Sequence, residues 1–147
     1  MSKIKTFRGL MTNDTVEKIH LGTLDGKTGY KISKLQVMPA NPTGENMEAV
    51  IKIYKVVQTA TTSTINFSDN TILAAAYLET HEDASSAFSN FTNAVIFDTE
   101  IFNQDIFVTL AGQTITAGLN YYLELEQMPL DLNEATVATL KNIKNRG

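Results

Sequence analysis

The sequence predicts a mainly β domain, an antiparallel β-sandwich or jelly-roll-like fold carrying one C-terminal α-helix. Three observations point there. Leu119–Gln127 alternates strictly, with Leu119, Tyr121, Leu123 and Leu125 on one side and Asn120, Tyr122, Glu124 and Glu126 on the other. Successive side chains of a strand face opposite ways, so this is a sheet with one face in a core and one in water. Short apolar runs then recur at spacings of about ten residues with turn residues between them, which is sandwich spacing. Only beyond Pro129 does the pattern become helical.

In chain order, Lys3, Lys5 and Arg8 surround Ile4 and Phe7 in a short basic arm over residues 1–10, read as a frayed end, a first edge strand, or an arm docking on a neighbouring subunit or an acidic surface. Thr15–Leu21 is a modest strand, closed by Leu24-Asp25-Gly26-Lys27, where Gly supplies the positive φ that such turns require. Lys27–Met38 reads as a strand whose parity slips: Tyr30 and Ile32 are even, whereas Leu35 and Val37 are odd. A slip of one residue would turn every side chain to the wrong face, so a bulge is predicted near Ser33-Lys34. Pro39–Gly44 is a loop, because its two prolines deny the ladder two donors.

Met47–Val57 is a long strand with Met47, Ala49, Ile51, Ile53 and Val57 on one face and Glu48, Lys52 and Tyr54 on the other. Val50 and Val56 imply partial cover on that second face. Gln58–Asn70 is polar, with Ile65 and Phe67 as anchors, and suits an exposed excursion or a ragged edge. Ile72–Leu78 fits a buried strand or a short helix equally. Thr80–Asn93 is a second polar stretch, whose Phe88 and Phe91 either pin a loop or face a partner. Phe97, Phe107, Tyr121, Leu123 and Leu125 are expected in the core. Gly118, three residues before Tyr121, has the spacing of a tyrosine corner.

These segments form the sandwich, residues 11–130. In residues 131–147, Asp131 and Glu134 have capping-box spacing, and Leu132–Lys144 has helical periodicity. Leu132, Thr136, Leu140 and Ile143 stack on one side with Val137 beside them. Lys141, Lys144 and Arg146 suit the negative end of the helix dipole. Such a helix lies across the sheet or against another subunit.

Composition narrows the function. The 147 residues make one domain, enough to bury roughly 70% of the unfolded surface without staples. With no Cys, disulfides, cysteine zinc sites and thiol catalysis are excluded. A net charge of −4 with both signs interspersed implies no nucleic-acid partner. No apolar run approaches the ~18 residues of a membrane span and no export-type leader is visible, so a soluble chain outside the membrane is expected.

Site chemistry is sparse. No nucleophile motif is present, and the two histidines, His20 and His81, read as exposed residues. Asp98, Glu100 and Asp105 could be paired carboxylates or a cation cluster, but Phe97, Ile101 and Phe102 interrupt them and no Gly makes the sharp turn. No catalytic residue, cofactor or metal is therefore expected. A hydrolase using Asp98, Glu100 or His81 is the least favoured alternative.

Val95–Thr109 (VIFDTEIFNQDIFVT) and Asn120–Gln127 (NYYLELEQ) resemble a group of small proteins encoded by marine tailed bacteriophages. Thr6–Gly9, Gly26–Tyr30, Glu48–Val56, Asn66–Ala76 and Glu134–Asn142 are similar to it as well. The resemblance runs through most of the chain and matches no defined site, so no functional residue is carried over. It implies a virion-associated, non-enzymatic component made in the host cytoplasm, such as a capsid decoration (cement) protein. Expected partners are the major capsid protein or other virion proteins, with the chain itself a homo-oligomer. Candidate contacts are Lys3, Lys5, Phe7 and Arg8 in the arm, Phe88 and Phe91 in the polar stretch, and Leu140 and Ile143 on the helix. The alternative is a tail or head-fibre module binding host-surface glycan, with Tyr54, Tyr77 and the Phe88/Phe91 stretch as platforms.

Overall fold

The computed structural model describes residues 3–21, 26–41, 46–82 and 89–144, apart from the side chains at 81–82, 89–92, 132 and 142–144. These residues form two antiparallel sheets and one helix. β1 (Lys3–Met11), β8 (Leu119–Pro129) and β3 (Thr28–Pro39) make a three-stranded sheet in the order β1-β8-β3. β2 (Thr15–Ile19), β7 (Ile106–Gln113), β4 (Met47–Tyr54), β5 (Ile72–Glu82) and β6 (Ser89–Phe97) make a five-stranded sheet in the order β2-β7-β4-β5-β6. α1 (Leu132–Lys144) follows β8. The arrangement is a sandwich with its strands divided three and five.

The inner faces follow the alternation. Leu119, Tyr121, Leu123 and Leu125 of β8 join Ile51 and Ile53 of β4 and Ile106, Val108 and Leu110 of β7 in one apolar cluster. The predicted bulge is present: the β3–β8 register shifts between Ile32 and Lys34. It lets Tyr30 and Ile32 on one side of the slip, and Leu35 and Val37 on the other, all turn into the core. Of the Leu24–Lys27 turn, Gly26 has the expected positive φ of 71°, while Leu24 and Asp25 lie outside the described residues, as do Pro42–Gly44 of the proline loop.

The centre of the five-stranded sheet is covered on both faces. Val50, Lys52 and Tyr54 point away from the core cluster yet are buried, because the segment between β4 and β5 folds over them. Within it, Thr64 O accepts a 2.7 Å hydrogen bond from Lys52 Nζ. Burial pushes the Lys52 ammonium below the ordinary lysine range, and the nearby Asp69 charge offsets part of that. Ile65 is half-buried as an anchor should be, but Phe67 is exposed and anchors nothing. The ambiguous Ile72–Leu78 run is strand β5, flanked by β4 and β6.

Further expectations change. Thr80–Glu82 and Ser89–Asn93 are strand, not loop: β5 and β6 pair from Ala74↔Phe97 out to Glu82↔Ser89, since ladder pairing outweighs their polar composition. Val57 lies past the end of β4 and is exposed. Gly118 does have a positive φ of 97°, but Tyr121 makes no tyrosine corner. Its hydroxyl donates to Glu17 Oε1 at 2.9 Å, reaching from the middle strand of one sheet to the edge strand of the other. Gly9 is Tyr121's partner across the β1–β8 ladder, and a Cβ there would stand 3.1 Å from the tyrosine ring. Burial first, and the bond to Glu17 second, raise the Tyr121 phenol above its ordinary pKa.

The Tyr121–Glu17 bond yields a stability prediction. Tyr121→Phe removes a hydrogen bond to a charged group and should cost about 1.5–3 kcal/mol in urea unfolding. A phenol raised in the folded state keeps its proton while the unfolded one ionises near pH 10, so its contribution is whole below about pH 10 and declines as pH rises further. The melting temperature should therefore fall as pH rises from about 10 to about 12, and less steeply in Tyr121→Phe. Parallel profiles would contradict this.

Candidate interaction surface

α1 begins as its sequence requires. Asp131 Oδ1 accepts from the Glu134 amide at 2.8 Å, and Glu134 Oε1 accepts from the Asp131 amide at 3.3 Å, closing the capping box. Of the predicted stripe, Thr136, Val137 and Leu140 are exposed, so it does not lie on its own sheet. Ala135 and Ala138 pack with Leu130, against Ile101 and Met128, and Asn103 Nδ2 ties the helix down by donating to Ala135 O and Thr139 Oγ1. Small residues let the helix lie close to the domain, whereas the bulkier Val137 and Leu140 would hold it away. Those two are left 52% and 58% exposed.

Beside Val137 runs an open groove of about 1180 Å³, bounded by α1, the segment before β5 and the end of β6. Its apolar lining includes Phe67 and Ile96, 59% and 58% exposed, and Phe97, 36% exposed. Phe97 was expected in the core, but it lies opposite Ala74 at the open end of β6 and is only partly covered. Phe107 is buried as expected, though on the outer face beside Tyr54 and beneath Lys18.

The acids considered for chemistry have structural partners. Glu100 takes both carboxylate oxygens to within 2.9 Å of Lys55 Nζ, whose side chain is buried. Asp98 Oδ1 accepts from the Glu100 amide at 3.0 Å, shaping the turn after β6. Asp105 is engaged elsewhere: it accepts from the Leu21 amide and stands near Lys18 and His20. Among the described residues, no group of three or more His, Asp or Glu is placed to hold a metal ion. Of the glycan platforms, Tyr54 is buried and out of reach, and the half-exposed Tyr77 donates its hydroxyl to Glu79.

The candidate contacts fall on separate elements. Lys3, Lys5 and Arg8 are exposed along β1, while Phe7 packs partly against the core. Leu140 is exposed on α1. Phe88 lies outside the described residues. Phe91 sits in β6 opposite Thr80, and Ile143 lies in α1, the side chains of both being outside the description. Sequence reasoning missed Phe67, Ile96 and Phe97 as surface residues. Their one sequence signal is that apolar side chains stand in segments with little else to bury them.

No protein-family model matches the chain, and no curated protein matches it significantly.

The Lys55–Glu100 pair sets a test of this region. Glu100→Gln takes a carboxylate away from a buried ammonium and should cost about 3 kcal/mol. The double variant Lys55→Met/Glu100→Leu should recover most of that loss, because the buried charge is gone as well. Chemical denaturation of the three proteins would show it, and equal stability of the Glu100→Gln and parent proteins would refute it.

Proposed function

We propose that this chain is a non-enzymatic accessory protein of a bacteriophage virion: a capsid decoration (cement) protein that seats on the major capsid protein at the head surface. The observation that carries this reading is the apolar surface around α1. The helix spends its alanines on its own domain and turns Val137 and Leu140 outward. Phe67, Ile96 and Phe97 continue that surface along the groove. Contiguous apolar side chains rimmed by charged ones, here Asp69, Glu134 and Lys141, are characteristic of protein-binding patches. The resemblance to marine phage proteins supplies the kind of particle, and a compact sandwich needing no staples suits a component that coats a lattice of identical sites. The engagement of Glu100 by Lys55 and of Asp98 by a turn supports a binding role over a hydrolytic one.

Mass spectrometry of purified virions should find the chain at a copy number comparable with that of the major capsid protein. Absence, or the few copies expected of a tail or fibre component, would overturn the assignment. Val137→Asp and Leu140→Asp should each strip the protein from particles while changing folding stability by no more than about 0.5 kcal/mol, as exposed positions do. Undiminished occupancy would reject the α1 surface as the contact.

A further inference from the structure

The sandwich has four strand edges, and they are not equally protected. An unpaired edge offers free N–H and C=O groups to any other strand, and proteins guard such edges with charges, prolines, bulges or shortness. β1 carries Lys3, Lys5 and Arg8. β2 has only five residues and includes Glu17 and Lys18. β3 has a bulge after Ile32, Lys31 and Lys34 beside it, and a terminal Pro39, and Phe102 covers its free side at Tyr30 through paired backbone hydrogen bonds. β6 (SNFTNAVIF) has nine residues, no charge, no proline and no register shift against β5. It ends the five-stranded sheet, and at its exposed end stand Ile96 and Phe97.

We propose that β6 is a self-association edge, pairing antiparallel with β6 of a second copy so that two five-stranded sheets join across a two-fold axis. The charge pattern selects this occupant. Across a two-fold axis a strand meets its own residues, so any charge near the centre confronts its like. β6 has none to confront, whereas β1 would set cations against cations. A foreign basic or acidic segment finds no complementary charge on β6. With the axis at Asn93, Ser89 faces Phe97, Asn90 faces Ile96, Phe91 faces Val95 and Thr92 faces Ala94, so every residue of the strand has a partner. The pairing does not depend on the virion assignment and would hold if that reading failed.

Sedimentation analysis of the full chain should show a dimer. Ala94→Lys places a cation at an exposed position on β6 and should raise the dimer dissociation constant at least about tenfold, while Thr6→Lys on β1 leaves it unchanged. Circular dichroism verifies that both variants remain folded. The chain has no Cys, so Asn93→Cys provides a positive test: facing residues of an antiparallel pair lie within disulfide reach, and mild oxidation should give a covalent dimer. Thr6→Cys should not cross-link. A monomeric parent chain, a dimer that Ala94→Lys leaves intact, or cross-linking at Thr6 in preference to Asn93 would each overturn the proposal.

Discussion

Leu119, Tyr121, Leu123 and Leu125 must leave water together, because they share one face of β8 and the strand admits no compromise between faces. Much of the architecture answers that requirement. β1 and β3 flank β8 and complete its sheet, the bulge in β3 keeps its inward residues in step with β8, and Gly9 leaves room for the Tyr121 ring. The five-stranded sheet supplies the opposing wall. At its β2 edge Glu17 meets the Tyr121 hydroxyl, so that polar atom, carried inward among the leucines of β8, is satisfied between the sheets.

That opposing wall is unusual in having cover on its outer side as well. The segment between β4 and β5 contains no strand, yet it buries Val50, Lys52 and Tyr54 and provides the carbonyl that receives the Lys52 ammonium. A lysine there is tolerable because its charge keeps a hydrogen bond and lies within the field of Asp69. The same segment places Phe67 at the groove. One irregular stretch thus both finishes the fold and helps form the surface assigned to partners.

Local signals were legible in the sequence where they depended on neighbours along the chain. Alternation in β8, the parity slip at Ser33, and the Asp131–Glu134 cap are of this kind, and each appears where the residues placed it. What escaped depends on distant segments. Val50 and Val56 signal partial cover on the face that carries Lys52, but not that the segment beyond β4 provides it. The helix stripe left open whether it faces the sheet or another subunit, and Asn103, about thirty residues earlier, decides it by holding the alanine side to the domain. The polar ends of β5 and β6 become strand because they face each other. The candidate surface was the least legible part, since Phe67, Ile96 and Val137 come from three regions that no periodicity connects.

The antiparallel register of β1 on β8 has a mechanical corollary. Lys3 stands opposite Gln127, a few residues before the helix begins, so the start of β1 and the exit of β8 lie side by side at one end of the sheet. Tension applied between those two points would act across the strands and not along them. The hydrogen bonds between β1 and β8 would then be loaded one rung at a time from the Lys3 end, as in opening a zipper. An anchorage shared between β1 and α1 would therefore have to hold both to the same support, or the sheet would peel before either contact let go.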